Sequence, residues 1–382
     1  MPYTKPHIHE LLVHYFNNRE LNEIYFSVFL KSTAESLISI FVPIYLYQLG
    51  FGIFEIALYY LIWSLVTGSM MQTGMRLNSK FGVKKMMMVG TLLLIFYYYL
   101  LNLVQGGYPF WIPAIASGFS TAFYWSAFHL EFARGAEKKK EGSEASMLKI
   151  VTLVAAVTGP LVGSYIIFTT SFSFTFFFAA AILLASVLPL FATKDFKVKI
   201  QDLGLKKIAK ADTMRKAFTY QCNSIINMSA ALFWPLFIYL TIDDIVSVGL
   251  IISLTSFLLI ILIAYWGELA DKDVKKAMKM GTYAHAPLWP LRLLFLTPFG
   301  LFISNFLSSA TISAIDVSFN KIIYETAGKS TDKANYFIFR EYNLTIGRII
   351  ILVAAMLTQS IYWIFIFAFF VTFGHLILLK EI

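Results

Sequence analysis

The chain has 382 residues, of which 58% are hydrophobic and only 14% charged, with a formal net charge of +9 and a mean hydropathy of +0.70. A soluble domain is about a quarter charged, so this composition excludes a water-soluble globular protein and makes lipid the solvent for most of the chain. The single Cys222 excludes intrachain disulfides and CxxC metal sites, and the positive balance fits basic membrane loops better than nucleic-acid binding.

The first residues, "MPYTKPHIHELLVHYFNNRE", are too polar for a cleavable signal peptide. His7, His9 and His14 invite a metal reading, but the stretch reads better as a short amphipathic helix on the inner leaflet. A membrane span needs about 20 apolar residues. Twelve stretches qualify: 24–48, 52–74, 86–105, 109–133, 147–169, 172–192, 216–241, 245–266, 278–297, 299–324, 336–358 and 360–379. They are continuous apolar runs, hence helices rather than barrel strands. The expected fold is an all-α polytopic membrane protein with twelve transmembrane helices in two pseudo-symmetric six-helix bundles.

The loops after the even segments carry the Lys and Arg, as in "RLNSKFGVKK", "RGAEKKKEGSE" and "DKDVKK", while those after the odd segments carry none. This asymmetry predicts cytoplasmic N and C termini. The longest polar stretch, 193–215, separates an expected bundle over 1–192 from one over 216–382. Its "DLGLKKIAKADTMRKAF" reads either as an amphipathic helix or as a solvated linker. "PIYLYQLGFG" at Pro43 and "PLFIYLTIDD" at Pro235 echo each other half a chain apart, as tandem repeats would.

Between segments 8 and 9 stands "GELADKDVKK", which resembles the major facilitator superfamily signature G-x-L-A-D-[RK]-x-G-[RK]-[RK]. Gly267, Leu269, Ala270, Asp271, Lys272, Lys275 and Lys276 fit, and Val274 replaces the second glycine. The first-half counterpart "GMRLNSKFGVKK" keeps Gly82, Lys84 and Lys85 but has Ser79 where the acid belongs. The resemblance implies a cytoplasmic latch at these turns. "TGPLVG" in segment 5 holds Gly159, Pro160 and Gly163 and resembles the end of the family's antiporter-associated motif, with simple helix packing as the other reading. The resemblance also implies that segments 1, 4, 7 and 10 line a central cavity.

Intramembrane polar residues are the candidates for that cavity. Lys31 and Glu35 share one face of segment 1, either as a coupling pair or as a structural one. Trp125 and His129 lie in segment 4, Asn227 in segment 7, and Asp316 and Asn320 in segment 10. Arg348 in segment 11 needs an anion, for which Asp316 or a substrate serves. Arg292 in segment 9 is read as reaching Asp243 or Asp244.

No HExxH, GxSxG or GxxxxGK[ST] motif occurs, so neither an enzyme nor an ATP-driven pump is expected. The expected activity is secondary active transport of a small organic solute by alternating access. Proton-coupled efflux is the first reading, and metabolite uptake by symport or uniport the second. The expected cofactors are none, the drive a proton gradient, and the state a monomer in the plasma membrane.

Overall fold

The computed structural model describes residues 19–135, 141–198, 203–329 and 332–381, so the stretch with His7, His9 and His14 lies outside the described residues. Among them the chain forms helices and no strand. Among the described residues nine helical stretches are long and apolar enough to cross a membrane, or ten if one bent pair counts as a single span.

The first predicted segment divides into α1 (Arg19–Ser36) and α2 (Val42–Gln48), joined by the 3-10 turn Ser39–Phe41. Pro43 opens α2, where its missing N–H and fixed φ are tolerated. Then follow α3 (Ile53–Phe81), α4 (Val83–Leu103), α5 (Trp111–Gly135), α6 (Glu141–Thr169) and α7 (Phe172–Val187). The next elements are the five-residue α8 (Leu205–Ala209), then α9 (Met214–Met228) and α10 (Trp234–Ile242), separated by the π-helical turn Ser229–Phe233. Pro235 in the first turn of α10 cannot donate to a carbonyl four residues back, and the wider turn before it absorbs the mismatch.

Beyond these, α11 (Ile245–Lys272) bends by 49° between Ile260 and Tyr265. Predicted segment 9 is not one continuous helix. It is α12 (Val274–His285), the single turn α13 (Leu288–Leu291) and the 3-10 turn Arg292–Leu294. Pro287 and Pro290 break it, each removing a backbone donor and displacing the preceding turn. Three helices close the chain: α14 (Pro298–Lys329), α15 (Lys333–Thr358) and α16 (Ile361–Thr372).

Among its described residues the polar 193–215 stretch holds no long amphipathic helix. Leu203 and Ile208 are buried against the bundle, and Gln72 of α3 donates to the Leu203 carbonyl at 2.6 Å. The part around Leu203 and Ile208 is thus docked onto the protein rather than spread on a lipid surface.

Apolar residues cover the outside as well as the core. Phe168, Phe174, Phe177, Leu357 and Phe370 are all exposed, as lipid-facing helices require. Inside, small residues let helices from the two ends of the chain approach closely. A Cβ on Gly68 of α3 would stand 2.7 Å from Thr345 Oγ1 of α15, and one on Gly249 of α11 would overlap Ser164 and the Pro160 carbonyl of α6. Leu161 N–H, next to Pro160, donates to Ser253 Oγ of α11 at 2.9 Å. At the end opposite the basic loops, Gln48 of α2 donates to the Tyr239 hydroxyl of α10 at 2.8 Å.

Candidate functional site

A cavity of about 350 Å³ lies between α3, α5, α14 and α15, within the size range of small-ligand sites. Helical periodicity builds it. Trp63, Thr67 and Met71 recur every four residues on α3, and Thr121, Trp125 and His129 do so on α5. Asn320 and Ile323 come from α14, and Phe337, Arg340, Glu341, Leu344 and Arg348 from one face of α15.

One wall is aromatic. The His129 ring stacks on Phe337 at 4.8 Å, nearly parallel at 2°, and lies 5.7 Å from Trp125. Trp63 donates from Nε1 to Thr121 Oγ1 at 3.1 Å, which fixes the indole plane.

Beside it the lining is charged. Arg348 donates from Nη2 to Glu341 Oε1 at 2.7 Å, and its guanidinium carbon sits 5.1 Å from the Trp63 ring centre. Arg348 Nη1 and Arg340 Nε have no hydrogen-bond partner. Arg340 makes no ion pair among the described residues, so the cavity holds one carboxylate and two guanidiniums.

Of the residues expected to line a cavity, Trp125, His129, Asn320 and Arg348 come together here. Lys31 and Glu35 stand behind the lining. They pair at 2.6 Å, and Lys31 Nζ lies 4.2 Å from the Tyr124 ring centre and 5.9 Å from that of Trp125. Asn227 is exposed and Asp316 half-buried, and neither is in the lining. Arg348 takes Glu341, not Asp316, because the two lie two turns apart on one helix and the long side chain folds back. Arg340 and Glu341, expected nearer the cytoplasmic end of segment 11 than Arg348, were not among the expected cavity residues although they carry the same signal as Glu35, a charge inside an apolar segment. The expectation that segments 1, 4, 7 and 10 line the cavity left segment 11 out.

The basic turns are built differently from the signature. Asp271 reaches Lys321 of α14 at 3.0 Å, and Lys321 also donates to the Ala270 carbonyl at 3.0 Å. The acid at the N-terminus of α12 is Asp273, which accepts the Lys276 N–H at 2.9 Å. Lys272 only pairs with Glu268 of its own helix, at 2.7 Å on the exposed surface. Lys275 is exposed, and Gly267 faces open space.

In the first half, Lys84 is buried and pairs with Glu23 of α1 at 2.7 Å and Glu131 of α5 at 3.9 Å. Gly82 adopts φ +107°, which favours glycine, and Lys85 is exposed. Gly159 and Gly163 of α6 press against Ser36 and Leu37, where α1 ends. Pro160 sits within the same helix, α6.

Arg292 does not reach the loop acids. Asp244 caps α11 by accepting the Val246 and Ser247 N–H groups at 3.2 and 2.9 Å. Arg292 is buried against Trp234 and Trp289 instead.

Among the described residues no group of three or more His, Cys, Asp or Glu gathers as a metal site would. Residues 24–213 match the model of the Major Facilitator Superfamily. No curated protein matches the chain. Among solved structures, a substituted form of the nucleoside transporter NupG aligns with a TM-score of 0.73 at 13% identity, over 93% of this chain and 98% of that one. NupG itself gives 0.70 at 14%, over 94% and 99%. A POT family transporter in complex with 5-aminolevulinic acid gives 0.74 at 9%, over 95% and 96%. At such identities the likeness is one of fold. It agrees with the helical architecture and with the family match: the chain belongs to the major facilitator superfamily and is a membrane transporter, not an enzyme.

Proposed function

We propose that the protein is a secondary active transporter of a small organic anion with a flat apolar part, working by alternating access and driven by protons. Two halves, 1–192 and 216–382, rock about the cavity, with the 193–215 stretch and both termini on the cytoplasmic side of the plasma membrane. The observation that carries this reading is the lining charge, two guanidiniums against one carboxylate beside a stacked aromatic wall. Arg340 receives the solute's anionic group, and Trp125 and Phe337 hold its flat part.

Protonating Glu341 releases Arg348 for the solute. Proton and anion then favour one another, which is the logic of symport. Export by antiport is the second reading, supported by Gly159, Pro160 and Gly163 at the contact of α6 with α1. The solutes named for the structural neighbours, nucleosides and 5-aminolevulinic acid, belong to the same size class.

Proteoliposomes with an imposed pH gradient test this. Aromatic carboxylates should accumulate faster than their amides, and Arg340→Gln should raise KM about tenfold, the loss of one charge-assisted hydrogen bond. Glu341→Gln should keep gradient-free exchange but lose the response to the gradient. Equal transport of acid and amide would overturn the anion reading.

A further inference from the structure

The break between α12 and α13 builds a second polar cluster, whose residues are not in the lining of the cavity. Arg292, on the 3-10 turn after α13, is only 3% exposed. Its guanidinium carbon lies 4.4 Å from the ring centre of Trp234 in α10 and 4.3 Å from that of Trp289 in α13. Nη2 donates to Ser308 Oγ of α14, while Nε and Nη1 have no partner. No carboxylate pairs with Arg292 among the described residues.

The neighbours repeat the pattern. Trp289 Nε1 and Ser304 Oγ are buried and without partners, as is the ring nitrogen Nε2 of His285. Ser304 lies one turn from Ser308 on the same face of α14. His285 Nδ1 stands 3.5 Å from Ser308 Oγ and 3.0 Å from Thr311 Oγ1. Asn305, by contrast, is fully used: it accepts from Trp234 Nε1 at 2.8 Å and donates to Thr255 at 2.9 Å.

A guanidinium keeps its charge, and a charge removed from water needs a counter-charge or a full set of acceptors. Two indoles attract the cation through their faces but accept nothing from its N–H edges. The cluster is rich in donors and holds no acid, and Arg292, Trp289, Ser304, Ser308 and His285 are all shut off from solvent. That combination is complementary to an anion small enough to be enclosed.

We infer that Arg292, Trp289, Ser304 and Ser308 bind a small monovalent inorganic anion of the halide class, which neutralises Arg292 and ties the broken segment 9 to α14. The site stands independently of the solute proposed for the main cavity.

The test uses the purified full chain in detergent. Thermal unfolding is followed in chloride, bromide and gluconate at equal ionic strength. Chloride and bromide should raise Tm saturably, by on the order of 2–4 °C over gluconate, and Arg292→Gln should abolish the difference. Iodide quenching of tryptophan fluorescence reads the same site without touching Arg292. Wild type should show a saturable step that shrinks in Trp289→Phe. Equal melting in halide and gluconate with purely linear quenching overturns the site, as does a halide effect that survives in Arg292→Gln.

Discussion

The carboxylate of Asp195 accepts the backbone N–H groups of Lys84 at 2.9 Å and Lys85 at 3.3 Å, capping α4 from the segment that follows α7. The first-half turn has lost its own acid at Ser79, whose hydroxyl only bonds back to Arg76 in the same helix. Asp195 supplies a negative charge at the helix N-terminus, and Gly82 leaves the room for it. Asp195→Ala should lower stability by about 1 kcal/mol, the usual loss of an N-cap acceptor, whereas Ser79→Ala should leave the melting curve unchanged. Equal effects of the two would discount the cap.

Gly163 of α6 has the Leu37 carbonyl against its α-carbon. The obstacle is backbone, so it cannot rotate away. Gly163→Ala should cost about 1–3 kcal/mol through overpacking and slow transport more than it lowers solute affinity. A variant with wild-type melting and turnover would show that α6 and α1 are free to part there.

The Lys31–Glu35 pair is lopsided: the lysine side chain is 5% exposed and the glutamate 37%. Removing Glu35 leaves a buried ammonium with little but ring contacts, whereas removing Lys31 leaves a carboxylate that water can reach. Glu35→Gln should therefore destabilise more than Lys31→Met in paired denaturation curves. Neither should remove the response of transport to pH if Glu341 carries it. The reverse order of stabilities would put the buried charge elsewhere.

The Asp271 side chain is 79% exposed in its pair with Lys321, and exposed pairs contribute about 0–1 kcal/mol. Asp271→Asn should barely move Tm. Its effect should appear in the balance of conformations, read by labelling single cysteines placed along α14 after Cys222→Ser. No change in labelling rates would reduce the pair to surface chemistry.

The sequence made the spans legible because apolar length and loop charge are local quantities. The breaks were harder. Pro287 and Pro290 were in plain view, yet the apolar run around them outweighed the missing donors. At the cavity, Trp125, His129, Asn320 and Arg348 stood out as polar or aromatic groups in apolar helices. Trp63, Thr67 and Phe337 did not, because nothing in an aromatic or threonine inside a helix tells which neighbour it faces. Asp195 was invisible as a cap because its partner is set by tertiary packing alone.

The loosened turns before Pro43 and Pro235 have a mechanical consequence. One is a 3-10 turn and the other a π turn, and each swaps regular ladder bonds for ones that bend at low cost. The short tips beyond them, α2 and α10, meet at Tyr239, which accepts from Gln48 and packs edge-on against the Tyr47 ring. Tyr45 ties α2 to the Leu101 carbonyl and to the rings of Phe172 and Phe176, so the joints let each tip settle against its own half while the long shafts of α1 and α9 keep their packing.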